Sequence, residues 1–246
     1  MARRRFLVDQ VHDDTAEIRG DDARHLARVL RAEPGQQYEI SDGANIYLAE
    51  ISAVGKDRVA FRLIEALETP PAPVHLKLVA ALIKFDRFEW LVEKATEMGA
   101  AAILPVNAAR SERGLLKAAE KRAGRWRRIA HESSQQARRV RPPEFGEPQE
   151  LSAALLVLSG DGYFLDEKPG APPLLAVLPP PAQRHRSDSI ALATGPEGGW
   201  TDTERARAVA SGWKPVSLGP LILRAETAAI LATGLLIHAW WASQLE

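Results

Sequence analysis

The stretch Val74–Val106, VHLKLVAALIKFDRFEWLVEKATEMGAAAILPV, decides the fold class. VHLKLVAALIK is an apolar run that reads as a strand. Asp86 with Glu89 gives the capping-box spacing for a helix over RFEWLVEKATEM, and Gly99 stands where a helix ends. AAILPV is then a second strand. Further strands are expected at ALLVLSG (154–160), SIALATG (189–195) and PVSLG (215–219). Several are apolar without alternation, as in a parallel sheet covered on both faces, so the class is α/β. Helices are expected from about Lys117 to Val140, from Asp202 to Ser211, and from about Glu226 onward.

Upstream, the rhythm differs. Residues 1–68 hold short alternating runs, QYEISDG, IYLAEIS and RVAFRLIEA, separated by glycine and proline turns, which predicts a small β-barrel or sandwich. One helix follows Asp21-Asp22. The proline-rich ETPPAPV (68–74) marks the boundary, giving domains at 1–70 and 74–246.

Lysine plus arginine equal aspartate plus glutamate at 32 each, so bulk charge implies no polyanionic partner. The absence of cysteine excludes disulfides, thiolate nucleophiles and cysteine-bound metals, and fits a cytoplasmic location. No leader is expected, because acidic residues follow MARRRFLVDQ too soon. Ala228–Ala242 is too short and interrupted to span a membrane, so a soluble protein is expected. The six histidines lack ligand spacing and no metal is expected. There is no G-x-S-x-G.

Three stretches could carry chemistry. ATGPEGGWTDTE (193–204) places glycines between a buried-type strand and a helix capped by Thr201 and Glu204, where backbone can approach a ligand. It matches neither G-x-G-x-x-G nor the phosphate-binding lysine loop, so a plain turn and a ligand loop remain equally compatible. VSLGPLILRAETAAILATG (216–234) adds a second strand-to-helix corner. Glu226 has a bland reading as a helix-start carboxylate. Arg224, flanked by Leu223 and Ala225, is harder to read as a casual surface charge. Finally, Lys121–Arg141 carries eight basic residues against one acidic, on a helix whose other face can bury. That one-signed run suits phosphate, so Arg125, Arg127, Arg128, Arg138 and Arg139 are expected to hold RNA, with Arg3, Arg4, Arg5, Arg24, Arg28 and Arg31 as a second patch.

KFDRFEWLVEKATEMGAAAILPV, RWRRIAHESSQQARR, ATGPEGGWTDTE and VSLGPLILRAETAA occur in the order and spacing of the RsmE family, the bacterial ribosomal small-subunit RNA (uracil-N3) methyltransferases. RRFLV and DDARHLARVLR resemble that family's N-terminal domain. The resemblance implies a PUA-like β-barrel, then a SPOUT α/β domain with a C-terminal trefoil knot, in a homodimer. It implies S-adenosylmethionine held among three loops, by Leu158, by Thr194, Gly195, Pro196, Glu197, Gly198 and Gly199, and by Leu218, Gly219, Ile222, Leu223, Thr227 and Ala228. The implied reaction is methylation of N3 of a uridine, expected to be U1498, in 16S rRNA of the small ribosomal subunit. Arg224 would favour the anionic base. Glu226 would orient Arg224 or accept the proton, and Arg110 joins the RNA-binding set. Competing readings are a methyltransferase for another RNA nucleotide, a βαβ nucleotide oxidoreductase and a non-catalytic RNA-binding assembly factor. The oxidoreductase would need a glycine fingerprint that LVAALIKFDR lacks.

Overall fold

The computed structural model describes residues 4–156 and 160–245. The chain divides into two compact units: residues up to Pro70 together with His131–Pro142, and the rest. The chain thus leaves the first unit after Pro70 and returns to it for His131–Pro142.

In the first unit, strands β1 (Arg5–Leu7), β2 (Val11–His12) and β3 (Thr15–Arg19) precede helix α1 (Gly20–Arg28). Strands β4 (Gln37–Ser41), β5 (Ile46–Val54) and β6 (Arg58–Leu67) follow. They form one sheet in the order β1-β4-β5-β6-β3-β2, with β1 and β4 parallel and the rest antiparallel. The alternation read in the sequence places Ile18, Ile40, Ile51, Val59 and Phe61 on one face, where Leu26 of α1 joins them in a buried core. Register shifts in the β5–β6 ladder bend the sheet. The result is a curled half-barrel whose ends, β1 and β2, do not pair.

The second unit contains β7 (His75–Ala81), α2 (Phe85–Met98), β8 (Ala102–Asn107), α3 (Leu115–Gln136), β9 (Glu144–Phe145) and β10 (Gln149–Glu150). It continues with α4 (Leu151–Leu156), β11 (Asp161–Leu165), β12 (Ser189–Thr194), α5 (Asp202–Ala210), β13 (Lys214–Val216) and α6 (Ala225–Ala242). The last turns of α3, from His131, belong to the first unit. All its strand pairings are parallel, in the order β10-β8-β7-β12-β11-β13, with β9 also on β8. Successive residues of a strand face opposite ways. Leu76, Leu78 and Ala80 of β7 therefore enter the core covered by α2, α3 and α6, whereas Val79 and Ala81 enter the one under α4 and α5. That two-sided burial explains why these strands lack alternation. No helix among the described residues is long and apolar enough to cross a membrane.

Two local expectations are corrected. Of the strand expected at ALLVLSG, residues 154–156 are helical and 157–159 lie outside the described residues. Leu151, Ala154 and Leu155 share one buried face at helical spacing, so 151–156 is α4, and a strand, β11, begins at Asp161, built on buried Tyr163, Phe164 and Leu165. Leu158 lies outside the described residues. The Asp86–Glu89 capping box does not form either: α2 starts at Phe85 without a side-chain cap. Glu89 instead accepts from Arg125 at 2.7 and 2.8 Å and from Arg122 at 3.2 Å. Gly99 does end α2, in the left-handed conformation at φ 104°.

Candidate active site

A cleft of about 470 Å³ lies at the C-terminal ends of β11, β12 and β13, the edge where ligands bind in open parallel sheets. Its walls are Leu165–Glu167, Gly195–Trp200 and Val216–Ala225, with Ala228 behind them. The volume lies within the range of small-molecule sites.

The glycine loop is fixed from below by Trp200. This side chain is fully buried, stacks on Phe164 at 4.5 Å and donates from Nε1 to the Leu165 carbonyl at 2.7 Å. Gly195 is required by close approach to a fixed ring, and Gly199 by its left-handed backbone. A Cβ on Gly195 would stand 3.0 Å from the Trp200 ring, and one on Gly199, where φ is +65°, would stand 2.3 Å from Glu167 Oε1. The Gly198 carbonyl accepts from Arg110 at 2.8 Å. The capping box expected at Thr201 and Glu204 is formed, with the Glu204 amide on Thr201 Oγ1 at 3.2 Å and the Thr201 amide on Glu204 Oε2 at 2.8 Å. The other oxygen of Glu204 accepts from the Ala109 amide at 2.8 Å.

The second corner leaves β13 through Ser217, whose carbonyl accepts from the Leu174 amide at 2.9 Å. Leu221 and Ile222 are exposed at the cleft mouth. Arg224 is the N-cap residue of α6 and lines the cleft, exposed, with no ion-pair partner among the described residues.

Most residues expected at a methyl donor are brought together here: Gly195 to Gly199, Leu218, Gly219, Ile222, Leu223 and Ala228 all line the cleft. Thr194 is buried beneath it and Thr227 faces out from α6, and neither contributes to the wall. Glu226 is also absent from the wall. It is 3% exposed, and its Oε1 lies 3.9 Å from Nε of Arg87 on α2, which reaches Glu197 Oε1 at 3.5 Å. Glu226 Oε2 is buried without a hydrogen-bond partner among the described residues. The arginine beside Glu226 is thus Arg87, which sequence reading missed; its position in KFDR gives no local signal of a partner so distant. Asp166, Glu167 and Arg205 were missed as well. Placing the strand at 161–165 would have exposed the first two as carboxylates at a strand's C-terminal end.

The arginines expected at RNA divide by environment. Arg28 and Arg31 are exposed, and the side chain of Arg4 reaches the His25 ring at 3.4 Å. Arg24 is paired with Asp21 and, at 2.8 Å, with Asp57. Arg125 lies on Glu89, which it holds below the usual carboxylate range, and Arg127 lies on Glu147. Arg128 is exposed. Burial, with Arg141 nearby, pushes the Arg139 guanidinium down to about 10, so it stays charged at neutral pH. Arg5 departs furthest from the expectation: it is 7% exposed, with Nη2 and Nε on Glu39 Oε2 at 2.8 and 3.1 Å. Arg138 binds the other oxygen of Glu39. Arg3 lies outside the described residues. Among the described residues no group of His, Asp or Glu is placed to hold a metal ion.

The RNA methyltransferase domain family matches residues 70–237, and the RNA methyltransferase PUA domain family matches residues 18–64. Ribosomal RNA small subunit methyltransferase E of Synechocystis sp. is 33% identical over 91% of this chain and 73% of its own length. The chain belongs to the ribosomal RNA small subunit methyltransferase E family. The Mycobacterium bovis member is also 33% identical, over 97% of this chain and 94% of its own. Among solved structures, the Neisseria gonorrhoeae methyltransferase E bound to S-adenosyl methionine superposes with a TM-score of 0.85 at 28% identity, covering 97% of this chain and 98% of that one. A Legionella pneumophila methyltransferase in complex with the same cofactor gives 0.86 at 28% identity, with equal coverage. Within the methyltransferase E family, the half-barrel is the PUA domain and the parallel-sheet unit is the SPOUT-like methyltransferase domain.

Proposed function

We propose that this chain transfers a methyl group from S-adenosylmethionine to N3 of a uridine in 16S rRNA, with U1498 as the expected target. The observation that carries the reading is the cleft: two strand-to-helix corners meet around it, and an exposed arginine with no carboxylate on it among the described residues stands at its edge. The lining suits this cofactor. It offers glycine backbone, leucines and the half-open carboxylate of Glu167, with Asp166 on Arg205, Glu197 on Arg87 and no lysine, so it lacks a phosphate-binding loop's cation and fits a phosphate-free ligand better than a nucleotide.

When bound, the cofactor supplies an activated methyl: the sulfonium–carbon bond breaks as the bond to N3 forms, leaving a neutral thioether. The protein's share is to place the base and favour loss of its N3 proton. Arg224 does the second, since a guanidinium beside the uracil oxygens stabilises the anion; the N-terminus of α6 adds the same sign. Glu226 does not touch the base in this reading. Buried against Arg87, it positions the first turn of α6 relative to Glu197 of the glycine loop. The proton therefore leaves to solvent or to another group of the ribonucleoprotein.

RNA phosphates are held by exposed arginines, Arg4, Arg28 and Arg31 in the PUA domain and Arg128 on α3, which position rather than specify, while Arg125 and Arg127 are engaged by Glu89 and Glu147. Arg110 fixes the glycine loop through Gly198 and presents its charge nearby. The protein acts in the cytoplasm as a homodimer, with a second copy covering Leu231 and Trp241 of α6 and Trp90 and Met98 of α2, all exposed in the single chain. Calorimetry with S-adenosylmethionine, followed by nucleoside mass mapping of small subunits from a deletion strain, tests the reading. Cofactor binding and a uridine lacking its N3 methyl are expected; a fully methylated deletion strain would overturn the target, and absence of cofactor binding would overturn the enzyme. Light scattering that gave only monomer at micromolar concentration would remove the dimer.

A further inference from the structure

Glu167 and Arg205 lie outside the two motif loops, yet together they define one wall of the cleft. Arg205, on the first turns of α5, has a side chain only 13% exposed. Its Nε donates to both oxygens of Asp166 at 2.9 and 3.0 Å, one Nη donates to the Trp200 carbonyl at 2.6 Å, and the other donates to Glu167 Oε1 at 2.6 Å. Burial alone would lower its pKa, but the bond to Asp166 and the charges of Asp166 and Glu167 offset this and leave it raised. One planar cation thus ties the end of β11 to the end of the glycine loop, in the forked geometry only arginine offers.

The consequence falls on Glu167. Its carboxylate occupies the space that the missing Cβ of Gly199 leaves, since a methyl there would stand 2.3 Å from Oε1. With Oε1 held by Arg205, Oε2 has no hydrogen-bond partner among the described residues, and Glu167 is a lining residue of the cleft. Lys168, its neighbour in sequence, is engaged by Asp202 and does not neutralise it. A carboxylate pinned by one oxygen and open at the other is an acceptor waiting for a donor.

Resting on the methyl-donor reading of this cleft, we propose that Glu167 binds the cofactor by accepting a hydrogen bond from one of its hydroxyl or ammonium groups, and that Arg205 is the positioning residue that aims it. Glu167 is the group that touches ligand; Arg205 acts through it. Gly199 is a glycine for its left-handed backbone, and the room it leaves is taken by the Glu167 carboxylate.

The test is calorimetry of the purified full chain with S-adenosylmethionine and with methylthioadenosine, which keeps the ribose hydroxyls and lacks the ammonium. Glu167→Gln is expected to weaken S-adenosylmethionine binding about tenfold, as for a lost charged hydrogen bond. Weakening toward both ligands assigns the ribose, and weakening toward S-adenosylmethionine alone assigns the ammonium. Arg205→Ala should weaken binding at least as much, and Arg205→Lys should recover part. The double variant Glu167→Gln/Arg205→Ala should be no weaker than Arg205→Ala alone, because the two act in series. In turnover, the loss at Glu167 should fall more on the KM for cofactor than on kcat, whereas a merely structural Arg205 would lower melting temperature and kcat together. Should Arg205→Ala fail to fold, exposed Glu167 still decides the matter. Wild-type affinity in Glu167→Gln would overturn the inference while leaving the methyltransferase reading intact; no binding by the wild type would instead overturn that reading.

Discussion

Arg224 and Arg5 show how differently one residue type can end. Arg224 follows the apolar Leu221-Ile222-Leu223 and is exposed at a cleft with no carboxylate on it among the described residues. Arg5 stands in the basic run at the N-terminus and is buried on Glu39, with Arg138 on the same carboxylate. The neighbours of each in sequence suggest the opposite outcome. What decides is whether an acidic group arrives from a distant element, as Glu39 of β4 does beside β1. Glu39 shows the balance directly: burial would raise its pKa, and the bonds from Arg138 and Arg5 lower it overall. A cation that the fold leaves unpaired beside a cavity is available for a ligand; one that the fold has paired is part of the scaffold.

The largest effect should come from removing the unpaired cation. Arg224→Ala is expected to lower methyl transfer by about 10²- to 10³-fold while leaving cofactor affinity within a small factor, because it withdraws charge only where the anionic base develops. Nucleoside mass spectrometry of RNA after timed incubation measures this, and near-normal turnover would break the contrast with Arg5. Arg5→Ala should instead cost stability, on the order of 3 kcal/mol, since it leaves a buried carboxylate with one partner fewer. Urea unfolding followed by a probe in the PUA domain checks it; an unchanged midpoint would mean that Arg138 alone satisfies Glu39.

The α/β class was legible because β7 and β12 are apolar on both faces, and the PUA strands because theirs alternate. Both strand-to-helix corners were legible, since turn residues and, at Thr201 and Glu204, a helix cap are local. The strand at 161–165 was displaced in the reading because ALLVLSG and DGYFL are both short and apolar, and only the i, i+3, i+4 burial of Leu151, Ala154 and Leu155 separates helix from strand. Asp86 and Glu89 have the spacing of a cap, but arginines one helix away claimed Glu89. Arg87 and Arg205 were invisible for the same reason. Their partners, Glu226 and Glu197 for one and Asp166 and Glu167 for the other, come from separate elements that no periodicity links. Local order could be read; long-range pairing of charges could not.

The same distinction predicts how RNA affinity responds to salt. If the open arginines neutralise phosphates, binding measured by fluorescence anisotropy should weaken steeply with ionic strength. Arg28→Ala or Arg31→Ala should each lower affinity a few-fold and reduce the log–log slope by about one. Arg24→Ala, which removes a side chain already shared by Asp21 and Asp57, should change the slope less. Equal slopes for all three would show that RNA displaces those carboxylates, and the paired arginines would join the open set.

The smallest effect concerns the segment that the first unit draws from α3. His131 Nε2 lies 2.8 Å from Asp22 Oδ2, and Gln135 donates to the same oxygen at 2.7 Å. The bond to Asp22 raises His131 above its ordinary 6.5, against burial and with help from Asp22, Glu132 and Asp9. Burial would raise Asp22, but the bond and charge of His131, with Gln135 and His25, leave it below its ordinary 3.8. A raised imidazole stabilises fully below pH 6.5 and loses its contribution as pH rises through the folded value; a lowered carboxylate stabilises above 3.8 and loses its contribution as pH falls through the folded value. Amide protection of residues 131–136 should therefore be greatest in mildly acidic solution and decline above neutrality, with His131→Phe removing the decline. Protection that rises steadily through neutrality would mean that the pair is not ionised and that Gln135, with the buried Ser133 and Ser134, holds this end of α3 without its charge. Since Arg138, the second cation on Glu39, follows within the same segment, loosening it should also expose the carboxylate that makes Arg5 unavailable to RNA.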